Sequence, residues 1–116
     1  MTPSQAAHTE LDALLADPRV RARWPGGLTT DEVLAALYDI GELQLALRER
    51  AEDGAARVTA EYAVVIALRD TSAGRVTGRG RTLTAAALRC LLEAEADLAD
   101  EVRRGLAALG DLLAAQ

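Results

Sequence analysis

The amino-acid sequence predicts an α+β fold dominated by helices, with two N-terminal helices, a β-hairpin and a long C-terminal helix. Residues 58–69 alternate with a period of two, which is the repeat of a strand that packs by one face. Before and after this stretch, leucines recur at the three- and four-residue spacing of helices. A chain of 116 residues suits one domain, which we divide into a helical part, 1–54, and a hairpin with a long helix, 55–116.

The N-terminal part opens with a helix and a linker. Thr2 and Gln5 stand at a capping-box spacing, with proline at the first helical position, and Pro18 ends this helix. Residues 19–28 contain a Pro-Gly-Gly turn and are predicted to be a linker. Within it, we expect Trp24 to fill part of the core.

The second helix is predicted to run from Thr29 to Gly54. Thr29 and Glu32 form a second capping box, and Gly54 suits the C-cap. Gly41 lies inside the pattern and costs about 1 kcal/mol relative to alanine, so it either allows close packing or marks a bend. The apolar positions at helical spacing are Val33, Leu34, Leu37, Ile40, Leu43 and Leu47.

The hairpin begins with a strand whose even-numbered face is apolar. A polar run that ends at Gly74 suits its loop, and Arg75–Arg81 returns as the second strand. The glycines of that strand, Gly78 and Gly80, predict either a helix backbone lying close above them or a bulge. The even face of the first strand consists of Val58, Ala60, Tyr62, Val64, Ile66 and Leu68.

The last helix begins after a threonine cap at Thr82 or Thr84 and continues to Leu109 or beyond. From Thr84 to Leu109 it would measure about 40 Å, more than a small domain requires. Its second half is therefore expected to pack on the N-terminal helices or on another copy of the chain, unless Gly105 or Gly110 bends or ends it. Four of its apolar positions are candidate interaction residues: Leu98, Val102, Leu106 and Leu109.

Composition limits the function classes. The net charge of -5 argues against general binding to nucleic acid or to an anionic membrane. No apolar run approaches the roughly 18 residues of a membrane span, and the N-terminus lacks a signal-peptide pattern. The single cysteine, Cys90, cannot form an intramolecular disulfide, so a reducing cytoplasm is expected. All basic side chains are arginines, which a GC-rich genome explains most simply.

No motif in the sequence carries catalytic chemistry. His8, the single histidine, lacks the second His or Cys of a zinc site and is interpreted as a surface residue. Cys90 has no candidate base and is interpreted as a small buried apolar residue. The carboxylates of the last helix spread around its axis, which favours a solvated acidic surface over a metal or acid–base site. We therefore predict no catalytic, cofactor or metal site and expect a protein that is not an enzyme.

The arginines of the hairpin are the second candidate surface. They share the odd-numbered face of the two strands and could dock phosphates or an acidic protein surface. The favoured alternative is a solvent-exposed sheet face partly paired with Glu61, and the aromatic side chains that single-strand binders use are missing there. The candidate residues are Arg57, Arg69, Arg75, Arg79 and Arg81.

Residues 57–93 resemble the β-β-α region of HicB-type antitoxins. The strand Tyr62–Leu68 is followed by Gly80-Arg81-Thr82-Leu83-Thr84-Ala85-Ala86, which is similar to their G-x-T-x-x-x-A helix start. The same stretch is similar to the hairpin-to-helix part of double-stranded-RNA-binding domains. Both resemblances imply a sheet covered by a helix, with a third strand that the sequence does not reveal. The helix start lacks a basic cluster to grip an RNA groove, and we expect no DNA-binding module after the helix.

The leading hypothesis is a small non-catalytic protein-interaction module, an adaptor, assembly or regulatory subunit, that acts through the long C-terminal helix and the hairpin. The alternative is a nucleic-acid-binding or antitoxin-like regulator that uses the arginine face. A lone hairpin is marginally stable in water, so we expect a homodimer or a subunit of a larger assembly. The expected partners are another protein or a second copy of the chain, with no membrane and no cofactor, and nucleic acid is the less favoured partner.

Overall fold

The computed structural model describes residues 3–51, 58–69 and 74–115 and confirms a helix-dominated α+β fold. In these residues four helices combine with one antiparallel sheet of three strands. Thr2, Gly54, Arg57 and the loop residues 70–73 lie outside the described residues. The elements in chain order are α1 (Pro3–Leu15), α2 (Pro18–Arg23), α3 (Thr30–Ile40), β1 (Gly41–Ala51), β2 (Val58–Leu68), β3 (Arg75–Gly80) and α4 (Leu83–Ala114).

The sheet contains the predicted hairpin and one further strand. Its order is β1-β2-β3, so β2 lies in the middle and the other two strands form the edges. β1 pairs with β2 over eleven residues, with Leu43 opposite Ile66. β3 pairs only with Tyr62–Ala67, with Gly78 opposite Val64. The β1–β2 pair therefore extends beyond the end of β3.

The prediction of one helix from Thr29 to Gly54 is wrong beyond Ile40, because residues 41–51 form strand β1. The start is confirmed: the Thr29 hydroxyl accepts the Glu32 backbone N–H, and the Glu32 carboxylate accepts the Thr29 backbone N–H. Gly41 is the C-cap of α3 and the first residue of β1. A Cβ atom at Gly41 would lie 2.2 Å from the carbonyl oxygen of Ala67, so a side chain would force the two strands apart at this point.

The predicted linker at 19–28 contains a short helix, α2, at its beginning. Asp17 caps this helix, since its carboxylate accepts the backbone N–H of Arg19 over 2.9 Å. Val20 is buried, and Trp24 lies partly buried against the core, as predicted for that tryptophan. Val20 is the buried residue by which this short helix packs on the core.

The core lies between the helices and the even-numbered face of β2 and β3. Val64, Ile66 and Val76 from the sheet join apolar residues of α3 and α4 in one buried cluster. Gly78 allows the close approach of α4, because a Cβ atom there would lie 2.3 Å from the carbonyl oxygen of Ala86. Of the two structures predicted for the strand glycines, the close helix backbone is therefore the one observed at this position.

Helix α4 is longer than the sheet it covers. It contains 32 residues, a length of about 48 Å, and Thr82 caps it by accepting the Ala85 backbone N–H over 3.1 Å. Gly105 and Gly110 both lie inside the helix. Every described residue from Val102 to Ala115 is exposed. Among the described residues, no helix is both long and apolar enough to cross a membrane.

Candidate interaction surfaces

The projecting half of α4, Val102–Ala114, carries an exposed row of large apolar side chains. Its apolar residues recur at intervals of three and four and so lie on one side of the helix. Each of them exposes more than half of its surface: Val102 61%, Leu106 64%, Leu109 53%, Leu112 66% and Leu113 63%. A side chain fully buried at such a site would contribute about 1.5–3 kcal/mol. The row is thus a large apolar surface that the described part of the chain leaves open to water.

Leu98 marks the boundary between this row and the core. It is partly buried and packs against the core cluster, unlike the other predicted helix candidates, Val102, Leu106 and Leu109. Two ion pairs lie on either side of it along the helix, Arg23 with Glu95 and Arg103 with Asp100. The structure therefore places Leu98 at the edge of the folded body and only the residues after it on the projecting half.

The second open surface is the odd-numbered face of the sheet. In β3, Arg75, Thr77 and Arg79 are exposed and alternate with buried residues. Across the sheet from Arg75, Ala67 follows on β2 and Glu42 on β1. The two arginines stand four residues apart, about 13 Å along the strand. This face thus combines basic side chains at the β3 edge with an acidic residue at the β1 edge.

The structure does not bring the other predicted arginines into this group. Arg69 directs its guanidinium to the carbonyl oxygen of Gly41, at 3.2 Å, where α3 meets β1. Arg81 follows the end of β3, and its backbone N–H donates to a carboxylate oxygen of Glu10 over 2.9 Å. Arg57 lies outside the described residues. Of the predicted basic face, only Arg75 and Arg79 share one side of one described strand.

The exposed part of β1 is a surface that the sequence analysis missed. Leu45 and Leu47 are 52% and 63% exposed, and they lie opposite Val64 and Tyr62, on the side of the sheet that faces the helices. The signal was present, since every second residue from Leu43 to Leu47 is a leucine and the residues between and beside them are polar apart from Ala46. It was assigned to a helix because Leu43 and Leu47 also stand four residues apart.

Glu10 was also missed, and it holds three elements together. Its carboxylate accepts the backbone N–H of Arg81 and lies 3.5 Å from the guanidinium of Arg89 on α4. Arg89 in turn donates to the carbonyl oxygen of Arg79 over 2.8 Å. A carboxylate on α1 therefore fixes the junction between β3 and α4, a contact between distant residues that local spacing does not reveal.

Cys90 is a buried side chain on the covered part of α4. Its thiol donates to the carbonyl oxygen of Val76 over 3.5 Å, and it is fully shielded from water. Burial raises the pKa of the Cys90 thiol to about 11, so the nucleophilic thiolate is disfavoured at neutral pH. Within the described residues, no group of three or more His, Cys, Asp and Glu side chains is placed to hold a metal ion.

Comparison of this chain with protein-family models, with curated proteins and with solved structures finds no match. The resemblance of residues 57–93 to HicB-type antitoxins therefore stays a prediction. The described residues present three open surfaces to a partner: the projecting half of α4, the arginine side of β3 and the exposed part of β1.

Proposed function

We propose that this protein is a non-catalytic interaction module, an adaptor, assembly or regulatory subunit, that binds a protein partner through the projecting half of α4. The observation that carries the proposal is the exposed row from Val102 to Leu113, in which each large apolar side chain is more than half open to water. Exposed apolar patches rimmed by polar residues are typical of protein-binding sites.

The chemistry of the surface indicates the kind of partner. A row of leucines at three- and four-residue intervals matches an apolar groove or another amphipathic helix, in which such side chains become anchors. The charged residues Arg103 and Arg104 lie at the start of the projecting half, on sides of the helix away from the apolar row. Most of the stability of a helix in a protein comes from packing of its apolar face, so a partner that covers this row would also stabilise the projecting half.

The test compares two variants of equal charge. Leu106→Glu with Leu109→Glu places two carboxylates in the apolar row, whereas Arg104→Glu changes the net charge by the same amount away from it. All three positions are exposed, so both variants should fold. Affinity capture from the native host with quantitative mass spectrometry should recover a protein with the wild type and with Arg104→Glu that the leucine variant loses.

A purified candidate from that capture then has to bind directly. Calorimetry should give at least a tenfold weaker affinity for the leucine variant than for Arg104→Glu, which corresponds to about 1.4 kcal/mol. If the captured proteins are the same for all three forms, or if the purified candidate binds both variants equally, the projecting half is not the binding surface and the proposal fails.

A second candidate function is supported by Arg75 and Arg79, which are exposed on one side of β3. Paired arginines can contact phosphates of a nucleic acid. In that case binding weakens steeply with salt, and Arg75→Ala with Arg79→Ala should abolish a mobility shift that Arg104→Ala preserves. No shift at low salt with the wild-type protein would remove this candidate.

A further inference from the structure

Within the described residues, strand β1 leaves a long edge of the sheet open. The strand order β1-β2-β3 puts it at the outside of the sheet over eleven residues. Open edges present unpaired backbone groups that template pairing with another strand, and soluble proteins usually keep such edges short, charged or covered. α4 packs against β2 and β3, the two strands farther from this edge. The edge is therefore a surface separate from the projecting half of α4.

The hydrogen-bond pattern shows which residues face that edge. The backbone N–H of Arg69 donates to the carbonyl oxygen of Ile40 over 3.0 Å, so Ile40 points its carbonyl towards β2. Backbone groups alternate between the two neighbours of an antiparallel strand. The odd-numbered residues of β1 that follow, Leu43, Leu45 and Leu47, accordingly direct their backbone groups away from β2.

The same three leucines change from covered to exposed along the strand. Leu43 is partly buried and packs against the core, whereas Leu45 and Leu47 expose 52% and 63% of their surface. All three lie on the side of the sheet that the helices cover. One half of β1 thus has an apolar cover within the chain, and the other half lacks one in the described residues.

We propose that β1 pairs with β1 of a second copy, antiparallel and centred on Leu45, so that two chains form one continuous six-stranded sheet. In this register Leu45 lies opposite itself, and Leu47 lies opposite Leu43 of the second copy. The uncovered half of each strand then lies beside the covered half of the other, next to the core of the second copy. The arrangement has the two-fold symmetry that is commonest in homodimers.

The leucines of β1 favour this register. Centring on Leu45 places Leu43 opposite Leu47 of the second copy, twice by symmetry, and Leu45 opposite itself, so that the side chains of all three leucines contact leucines across the new pair of strands. Moving the centre to Ala46 keeps Leu45 opposite Leu47 of the second copy but places Leu43 opposite Glu49. Moving it to Gln44 keeps Leu43 opposite Leu45 but places Leu47 opposite Gly41. Of these three registers, the one centred on Leu45 is therefore the one that places every leucine opposite a leucine.

The inference goes beyond the proposed function, because it concerns a different edge of the molecule and stays testable whether or not α4 binds a partner. The first test is chemical cross-linking of Leu45→Cys and of its control, Leu47→Cys. Two opposed hydrogen-bonded residues have Cα atoms about 5.5 Å apart, within the roughly 4.4–6.8 Å of disulfides. The two copies of residue 47 would be displaced by four residues, about 14 Å along the strands.

Leu45→Cys should therefore form a disulfide-linked dimer when oxidised glutathione takes up the two electrons, and Leu47→Cys should give at most a trace. The native thiol of Cys90 does not compete, since it is buried and its pKa is raised to about 11. Equal cross-linking of the two variants, or none in either, would overturn the proposed register.

The second test measures mass in solution by size-exclusion chromatography with light scattering. The wild type should have twice the chain mass of 12.3 kDa at micromolar concentration. Leu45→Lys places like charges opposite each other and should give the monomer mass, while Gln44→Lys, exposed on the other face of the same strand, should remain dimeric. Circular dichroism checks that both variants are folded. A folded wild-type monomer, or a dimer that Leu45→Lys leaves intact, would contradict the proposal.

Discussion

The two halves of α4 have similar apolar spacing but opposite surroundings. The covered half, Leu83–Leu98, contains buried alanines and leucines that face the strand glycines, whereas the projecting half presents its leucines to water. The reason is a mismatch of lengths: the six residues of β3 extend about 20 Å, and the 32 residues of α4 extend about 48 Å. A continuous apolar row therefore indicates burial only as far as the partner element reaches.

The largest difference in stability between the two halves is expected when one leucine in each is replaced by alanine. Leu88 is fully buried, so Leu88→Ala should lower the free energy of unfolding by about 2–5 kcal/mol. Leu106→Ala removes the same atoms from an exposed site and should change it by no more than about 0.5 kcal/mol. Urea denaturation measures both values. Equal losses would mean that the projecting half is packed in solution and that the comparison is wrong.

A smaller effect, of opposite sign in the two regions, is expected from adding one methyl group to a glycine. Gly78→Ala places a Cβ atom 2.3 Å from the Ala86 carbonyl oxygen, which should cost about 1–3 kcal/mol as the helix is pushed away. Gly105→Ala has open space within 4 Å and should stabilise the helix by about 1 kcal/mol. Thermal unfolding should show the two midpoints moving in opposite directions. A neutral Gly78→Ala variant would disprove the close approach of α4.

The smallest expected effect is a pH dependence of stability that comes from Cys90, on the covered half of α4. Burial raises the pKa of the Cys90 thiol from its ordinary value of 9.0 to about 11. Between these values the unfolded chain loses the proton while the folded protein keeps it, so the stability present below pH 9 falls as the pH rises towards 11. Denaturation at about pH 8 and at about pH 10.5 should show this loss, and Cys90→Ala should reduce it. If Cys90→Ala loses as much stability between these two pH values as the wild type, the burial of this thiol is contradicted.

Local patterns were enough to predict several elements of the fold. The alternation over 58–69 predicted β2, the run ending at Gly74 predicted the hairpin, and the threonine before the last helix predicted its cap. These features depend on residues that are close in sequence. The apolar row on α4 was predicted for the same reason, because the length of the helix and the spacing of its leucines can be read from neighbouring residues. Leu98, which was predicted as part of that surface, packs on the core instead.

The missed features depend on contacts between distant residues. β1 was predicted as a helix because Ile40, Leu43 and Leu47 satisfy helical spacing, and only pairing with β2 decides between helix and strand at that point. Glu10 shows the same limitation, because its partners, Arg81 and Arg89, are more than seventy residues away in sequence. The arginine face was predicted from alternation, but Arg69 follows the end of β2 and turns towards Gly41.

The most direct test of the central claim, that α4 is divided into a folded half and an interaction half, is hydrogen exchange followed by mass spectrometry. In the purified protein, amides of 83–98 should exchange slowly, at rates near those of global unfolding, because they lie on the core. Amides of 102–114 should exchange much faster, and a partner that binds the projecting half should slow them. Equal protection along the whole helix in the dilute, unpartnered protein would contradict the account.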